Sequence, residues 1–368
     1  MDDVDTLLDR VHDLSDLELA VLLCLIADQH CLIESDDDIQ DDVAAELGLI
    51  VSDVFKLSYI ILERDDLQSV DKFGELILDE HRDFEDTIDG GDSGFDSNSN
   101  LHTQIAAINF KGNGSSVASQ QKLDTRKVVN VIIAKDFNLA SEGIQIQMLE
   151  LIRSKRVFSR TTVHAAPKEF LFLPLVATST EDVKLTKHLN DRIFISHRHQ
   201  LEDGFLHLEE LDAHAEEQNF GHTLGPSPSA RTEQMLSSRR IDSSMIEYLR
   251  DQGHQTTVTT EIRRYLQDIV VFLRMERSVD GGISPFATTQ LLSLAKYLAP
   301  LHGIHYVTPS LVALAARKVY SHRIVMATPQ RERSTQYGTS LVSAQEILEG
   351  LDPQKVIDNV LGSVRCPA

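Results

Sequence analysis

Residues 130–159 read NVIIAKDFNLASEGIQIQMLELIRSKRVFS. The run Val131–Ala134 has the length and composition of a buried strand. Lys135 and Asp136 follow at its carboxyl end. Ile144, Met148, Leu149, Leu151 and Ile152 then recur at helical spacing. Val157 and Phe158 open a further strand. Open α/β sheets bind their ligands beyond the carboxyl ends of their strands, so Lys135 and Asp136 stand where a site is expected.

Toward the amino terminus, Leu14–Asp28 predicts a helix with a broad apolar face and Ser15 as its N-cap. His30–Ile33 predicts a short strand, Val43, Ala44 and Leu47 a second helix, and Leu57–Leu62 another strand. The link between the first strand and the second helix carries Asp36, Asp37, Asp38, Asp41 and Asp42 and has neither glycine nor lysine. A phosphate-binding loop needs exposed backbone N–H groups, glycine and a lysine, so this loop repels a triphosphate. Read as an EF-hand from Asp36, its sixth and twelfth positions are Asp41 and Leu47, and the motif fails. An acidic loop at a helix N-terminus is the simpler reading. Leu76–Glu80 ends a strand or helix, and Phe84–Arg126 has turn-rich, low-complexity composition that reads as a disordered insertion.

Toward the carboxyl terminus, Arg156–Thr162 and Val163–Phe172 suggest a hairpin leading into a strand. Leu201–Arg231 reads as a polar insertion and Met235–Gln252 as helical. Thr260–Met275 is amphipathic and is broken by GGISP; Thr288–Ala299 forms a second helix stopped by Pro300. Thr308 and Pro309 are the N-cap and first residue of a third helix, and Leu341–Val364 a last helix or pair with Pro353 at a helix start. His188, His197, His199, His207, His214 and His222 lack a zinc spacing and read as scattered surface residues, so no metal site is expected.

The chain of 368 residues is long enough for a full core, and its net charge of -22 argues against binding a nucleic-acid backbone. Basic partners or plain solubility fit that charge better. Cys24, Cys31 and Cys366 form no disulfide framework, and Cys24 and Cys31 read as buried thiols of a reducing compartment. The acidic start lacks a signal-peptide pattern and no run reaches membrane-spanning length, so we expect a cytoplasmic location, with the nucleus left open, and no membrane partner.

The pattern resembles the AAA+ ATPases of the MoxR and magnesium-chelatase I-subunit group. Phe137-Asn138-Leu139-Ala140, Ile144-Gln145 and Met148-Leu149 match the segment after that group's Walker B strand, and QHCLIESDDDIQDD (29–42) occupies its P-loop position. Gly282, Ser284, Pro285, Leu291, Leu292, Ala295, Lys296, Gly303, Tyr306–Pro309, Val312, Leu314, Ala315, His322 and Arg323 match its helical lid. The resemblance implies a three-layer P-loop-NTPase-type core with a parallel sheet, followed by an all-α lid. It divides the chain into a front half of the core (1–83), the insertion (84–128), a back half (129–200), a polar insertion with a connecting helix (201–257), the lid (258–327) and a C-terminal helical segment (328–368).

The same resemblance marks the losses. The phosphate-binding Lys and Mg-binding Ser/Thr positions hold Asp41 and Asp42. The Walker B metal-associated Asp is Lys135 and the catalytic Glu is Asp136. Sensor 1 is Thr180, a poor geometric substitute for a carboxamide, and sensor 2 is Phe286. Arg192 matches arginines that serve a neighbouring subunit's nucleotide; an ion pair with Asp191 or a nearby acid is an equal reading. A lysine facing aspartates predicts an internal ion pair across the site. The leading expectation is a degenerate, non-hydrolysing scaffold or regulatory subunit without a cofactor, whose partners are proteins: AAA+ paralogues or other copies of itself. A chelatase-type ATPase using ATP and Mg through a divergent site is one alternative, and an acidic interaction module is another.

Overall fold

The computed structural model describes residues 8–79, 126–158, 162–180, 185–211 and 240–367. Five parallel strands form the central sheet in the order β2-β5-β8-β1-β9: Tyr59–Leu62 (β2), Val131–Ala134 (β5), Leu171–Ala177 (β8), Cys31–Ser35 (β1) and Ile195–Arg198 (β9). Alternation along the strands divides their side chains between two layers. Ile33, Val131, Ile133, Leu171, Leu173 and Leu175 join one buried cluster with the helix Asp16–Ala27 (α1), the helix Gln40–Leu49 (α2) and the lid. Leu32, Ile132, Ala134 and Phe172 face the other way, onto the helices Val70–Leu76 (α3) and Glu142–Ser154 (α4). Fully parallel sheets require both faces covered, which explains why β5 is buried at every position.

Local chemistry sets the element ends. Ser15 caps α1 in a capping box with Glu18, as its sequence position predicts. Gly48 lets α2 approach β2 closely: a Cβ there would lie 2.8 Å from the Tyr59 ring. Leu78–Asp79 (β3) pairs with Lys127–Val128 (β4), so strand structure resumes at Lys127, inside the stretch read as insertion. The rest of that insertion, 84–125, lies outside the described residues. Arg156–Phe158 (β6) and Val163–Ala165 (β7) form the expected antiparallel hairpin.

The short helix Lys187–Asn190 (α5) precedes β9. Residues 212–239, which include His214, His222 and most of the second polar insertion, lie outside the described residues. The helix expected from Met235 begins at Ser243 and runs to Gln255 (α6), because Asp242 takes the extended N-cap conformation.

The lid follows as Thr260–Met275 (α7), Pro285–Leu301 (α8) and Pro309–Tyr320 (α9). Helix α8 starts three residues earlier than its apolar periodicity suggests, because Ser284 accepts a hydrogen bond from Ala287 N and Pro285 fits the first helical position. It also passes through Pro300, which lies in the last turn, where little helix remains to be broken. The short strands Val279–Gly281 (β10) and Val325–Met326 (β11) pair beside the lid. Leu341–Leu348 (α10) and Pro353–Ser363 (α11) complete the chain; α11 buries Val356, Ile357 and Val360 in the core cluster that includes the lid.

No helix among the described residues is long and apolar enough to cross a membrane. Cys24 and Cys31 are buried free thiols. The surface reading of the histidines fails for His197, His199 and His207, which are 4–5% exposed. His207 bonds buried Glu18 at 3.0 Å, and no cluster of three metal-ligating residues occurs among the described residues.

Candidate functional site

Strand register builds the site at the carboxyl edge of the sheet. Leu62 pairs with Ala134, so the next residues, Glu63 and Lys135, leave their strands side by side. Lys135 N donates to Leu62 O at 3.0 Å, which fixes that departure. Across the sheet, β1 runs into a 3-10 turn at Asp37–Ile39 and then into α2, whose first turn carries Asp41 and Asp42. Carboxylates are favoured there by the positive end of the helix dipole.

The ammonium of Lys135 lies 2.5 Å from Asp41 Oδ1 and 2.6 Å from Glu63 Oε2. Its side chain is 13% exposed, whereas those of Asp41 and Glu63 are 84% and 56% exposed. Burial alone would lower the Lys135 pKa; the hydrogen bonds it donates to Asp41 and Glu63 outweigh that and raise the value above the ordinary lysine value. The predicted internal ion pair is therefore present, and it recruits Glu63, which the sequence reading missed. The available signal was positional: an acid one residue beyond a strand that neighbours β5.

Asp136, beside Lys135, sits in the left-handed region at φ 49° and accepts a hydrogen bond from Gln40 Nε2 at 3.4 Å. Thr178 Oγ1 donates to Ser35 O at 3.0 Å, and Ser179 Oγ donates to Asp37, tying the end of β8 to the acidic loop. Thr180 closes the 3-10 turn Thr178–Thr180. Asp42 is exposed in the first turn of α2.

Magnesium-bound ATP does not fit these groups. Carboxylates occupy the positions that should neutralise phosphate, and the nearby cation already has two carboxylate partners.

Arg192 and Phe286 meet elsewhere, at the junction of core and lid. The Arg192 guanidinium stacks on the Phe286 ring, 4.4 Å from its centroid. Among the described residues Arg192 forms no ion pair with Asp191, one of the two partners offered for it in the ion-pair reading. Asp191 instead accepts from Ser284 Oγ at 2.6 Å and lies 3.9 Å from Arg323 Nε. A planar guanidinium can stack on an aromatic face, which explains why Phe286 and Arg192 form a pair. The sequence signalled each residue separately but not their contact.

An AAA lid domain family model matches residues 272–348. A solved structure of a candidate ATPase from Cytophaga hutchinsonii aligns with 100% of this chain and 94% of its own, at TM-score 0.58 and 14% identity. The fold is AAA+-like, with an AAA lid. Among curated proteins, 102 residues (26% of the chain) are 34% identical to Maintenance of telomere capping protein 2 of Eremothecium gossypii. A stretch of 132 residues (33% of the chain) is 27% identical to the protein of that name from Vanderwaltozyma polyspora. These matches span only 37% and 38% of the two relatives.

Proposed function

We propose that this AAA+-like chain acts by binding, as a non-hydrolysing scaffold or regulatory subunit, with other copies of itself or with AAA+ paralogues. One observation carries the reading: Lys135 bridges Asp41 and Glu63 at the sheet edge, where a working ATPase keeps its phosphate lysine and metal carboxylate apart for nucleotide and Mg. The Arg192–Phe286 stack supports it, because it commits both residues to a contact within one chain. The name of the partial relatives, Maintenance of telomere capping protein 2, suggests telomere capping as the setting. The net charge of -22 supports contacts with proteins rather than with a nucleic-acid backbone. In this reading its partners are proteins, and its scaffold role needs no nucleotide hydrolysis.

The deciding experiment measures ATP turnover by the purified full chain with Mg, beside a Lys135→Asp/Asp136→Glu variant, together with its oligomeric state with and without nucleotide. The reading expects no turnover in the native chain and nucleotide-independent assembly. Turnover by the native chain would overturn it and favour a chelatase-type motor.

A further inference from the structure

A second feature lies apart from the sheet-edge ion pairs. Between α5 of the core and the β10–β11 ribbon of the lid is a cleft of about 510 Å³, within the size range of small-molecule sites. Its walls include the apolar side chains of Leu185, Val279, Ile283 and Val325. Its charged lining is dominated by cations: Lys187, Arg274, Arg323 and Arg333, against Asp191 and Asp280.

Both acids are engaged. Asp280 pairs with Arg331 at 3.0 Å, and Asp191 accepts from Ser284 and faces Arg323. Among the described residues, Lys187, Arg274 and Arg333 have no carboxylate partner. Arg274 donates through Nε to Ile283 O, and Arg333 through its two Nη atoms to the carbonyls of Met275 and Arg274. These bonds go to neutral acceptors, so they orient the guanidiniums without neutralising them. Arg323 is 2% exposed, yet its Nε has no hydrogen-bond partner. In a chain of net charge -22, such a concentration of unneutralised cations is unlike the rest of its composition.

The walls are held in place before any ligand arrives. Ser284 bridges to Asp191, Asn190 Nδ2 donates to His322 O at 2.9 Å, and Arg323 Nη1 reaches Phe194 O at 3.2 Å. Gly282, at φ 98°, packs so closely on the Arg323 backbone that a Cβ would lie 1.9 Å from its carbonyl oxygen. Such preorganisation lowers the ordering cost of binding.

We infer that this cleft is an anion site for a phosphorylated small molecule with an organic body. Arginine forks and a lysine match phosphate oxygens, and the apolar wall gives the rest of the ligand a surface to cover. An extended acidic peptide is the weaker match, because a cleft of this volume holds only a short stretch of chain.

The test uses the full chain in low-salt, Mg-free buffer. Calorimetric titrations with ATP, flavin mononucleotide and inorganic tripolyphosphate are run on the native protein, Lys187→Glu, Arg274→Gln and Lys135→Met. Lys187 is exposed, so Lys187→Glu keeps the fold even where an arginine variant does not. The expected result is that at least one organic phosphate binds and tripolyphosphate binds more weakly. Affinity should fall about tenfold in Lys187→Glu and Arg274→Gln and stay unchanged in Lys135→Met. Absence of binding by all three phosphates, or equal binding by tripolyphosphate, overturns the assignment. Binding kept in Lys187→Glu but altered in Lys135→Met also overturns it, by placing phosphate at the sheet edge. ATP turnover refutes only the scaffold reading, so the two failures are distinguishable.

Discussion

Replacing Lys135 tests whether the ion pairs at the sheet edge hold the core together. The ammonium has two carboxylate partners at 2.5 and 2.6 Å, and a close pair near a surface is worth up to ~4 kcal/mol by Coulomb's law. Asp41 and Glu63 are 84% and 56% exposed, so solvent reduces each pair to about 0.5 kcal/mol and both to about 1 kcal/mol. The lysine stem is buried more deeply, with 13% of the side chain exposed. Alanine removes three methylenes, at up to ~0.8 kcal/mol each, so packing adds about 2 kcal/mol. Lys135→Ala should therefore cost about 3 kcal/mol, and Lys135→Met, which keeps most of the stem, about 1 kcal/mol. In a chain of this size roughly 2 °C accompanies each kcal/mol, giving Tm losses of about 6 °C and 2 °C.

Thermal melts at low salt measure both variants. Repeating them at 0.5 M NaCl, where the screening length falls to about 4 Å, should shrink the Met deficit and leave most of the Ala deficit. The raised lysine pKa sets the alkaline side. The ion-pair contribution is fully present below the unfolded lysine pKa and is lost as pH rises through the higher folded value, so Lys135→Met and the native chain converge in strong alkali. A Lys135→Met protein as stable as the native chain at neutral pH and low salt would refute the reasoning.

Three further predictions concern other parts of the chain. Gly282→Ala should cost about 2–4 kcal/mol in denaturant unfolding, because φ 98° is strained for alanine and its Cβ meets Arg323 O; an unchanged midpoint would rule out the tight lid contact. Phe286→Leu should cost about 0.5–1 kcal/mol through loss of the stack, and a cycle with Arg192→Leu should show coupling of that size, whereas strict additivity would mean the stack contributes nothing. Burial, helped by the charge of Lys318, holds the His197 pKa at about 3, so the unfolded chain takes up a proton near pH 6.5 that the folded chain refuses. Stability is then lost as pH falls below 6.5, by up to ~1.4 kcal/mol per pH unit, and His197→Gln should flatten the slope between pH 6.5 and 5; parallel slopes would contradict it.

Much of this architecture was legible in the order of residues because its causes are local. Apolar runs marked β1, β2 and β5, helical spacing marked α1, α4 and α7, and Ser15, Thr308, Pro309 and Pro353 mark helix starts in the structure as they did in the sequence. The loss of a phosphate loop was equally plain, since a link with five aspartates and no glycine or lysine carries its charge whatever its fold. Even the Lys135–Asp41 pair was expected, through the resemblance that set Lys135 opposite the acidic link.

What needed tertiary structure was each contact between segments distant along the chain. Strand register brought Glu63 beside Lys135, and lid docking laid Arg192 on Phe286 while turning Asp191 toward Ser284 and Arg323. Packing also buried His197, His199 and His207, whose sequence spacing suggested surface residues. The cationic cleft is the furthest from sequence: Lys187 and Arg333 lie far apart along the chain and become neighbours only when the β10–β11 ribbon closes against α5. Periodicity and caps report on neighbours within a few residues. Charge pairing and burial depend on which surfaces meet, and only the folded chain decides that.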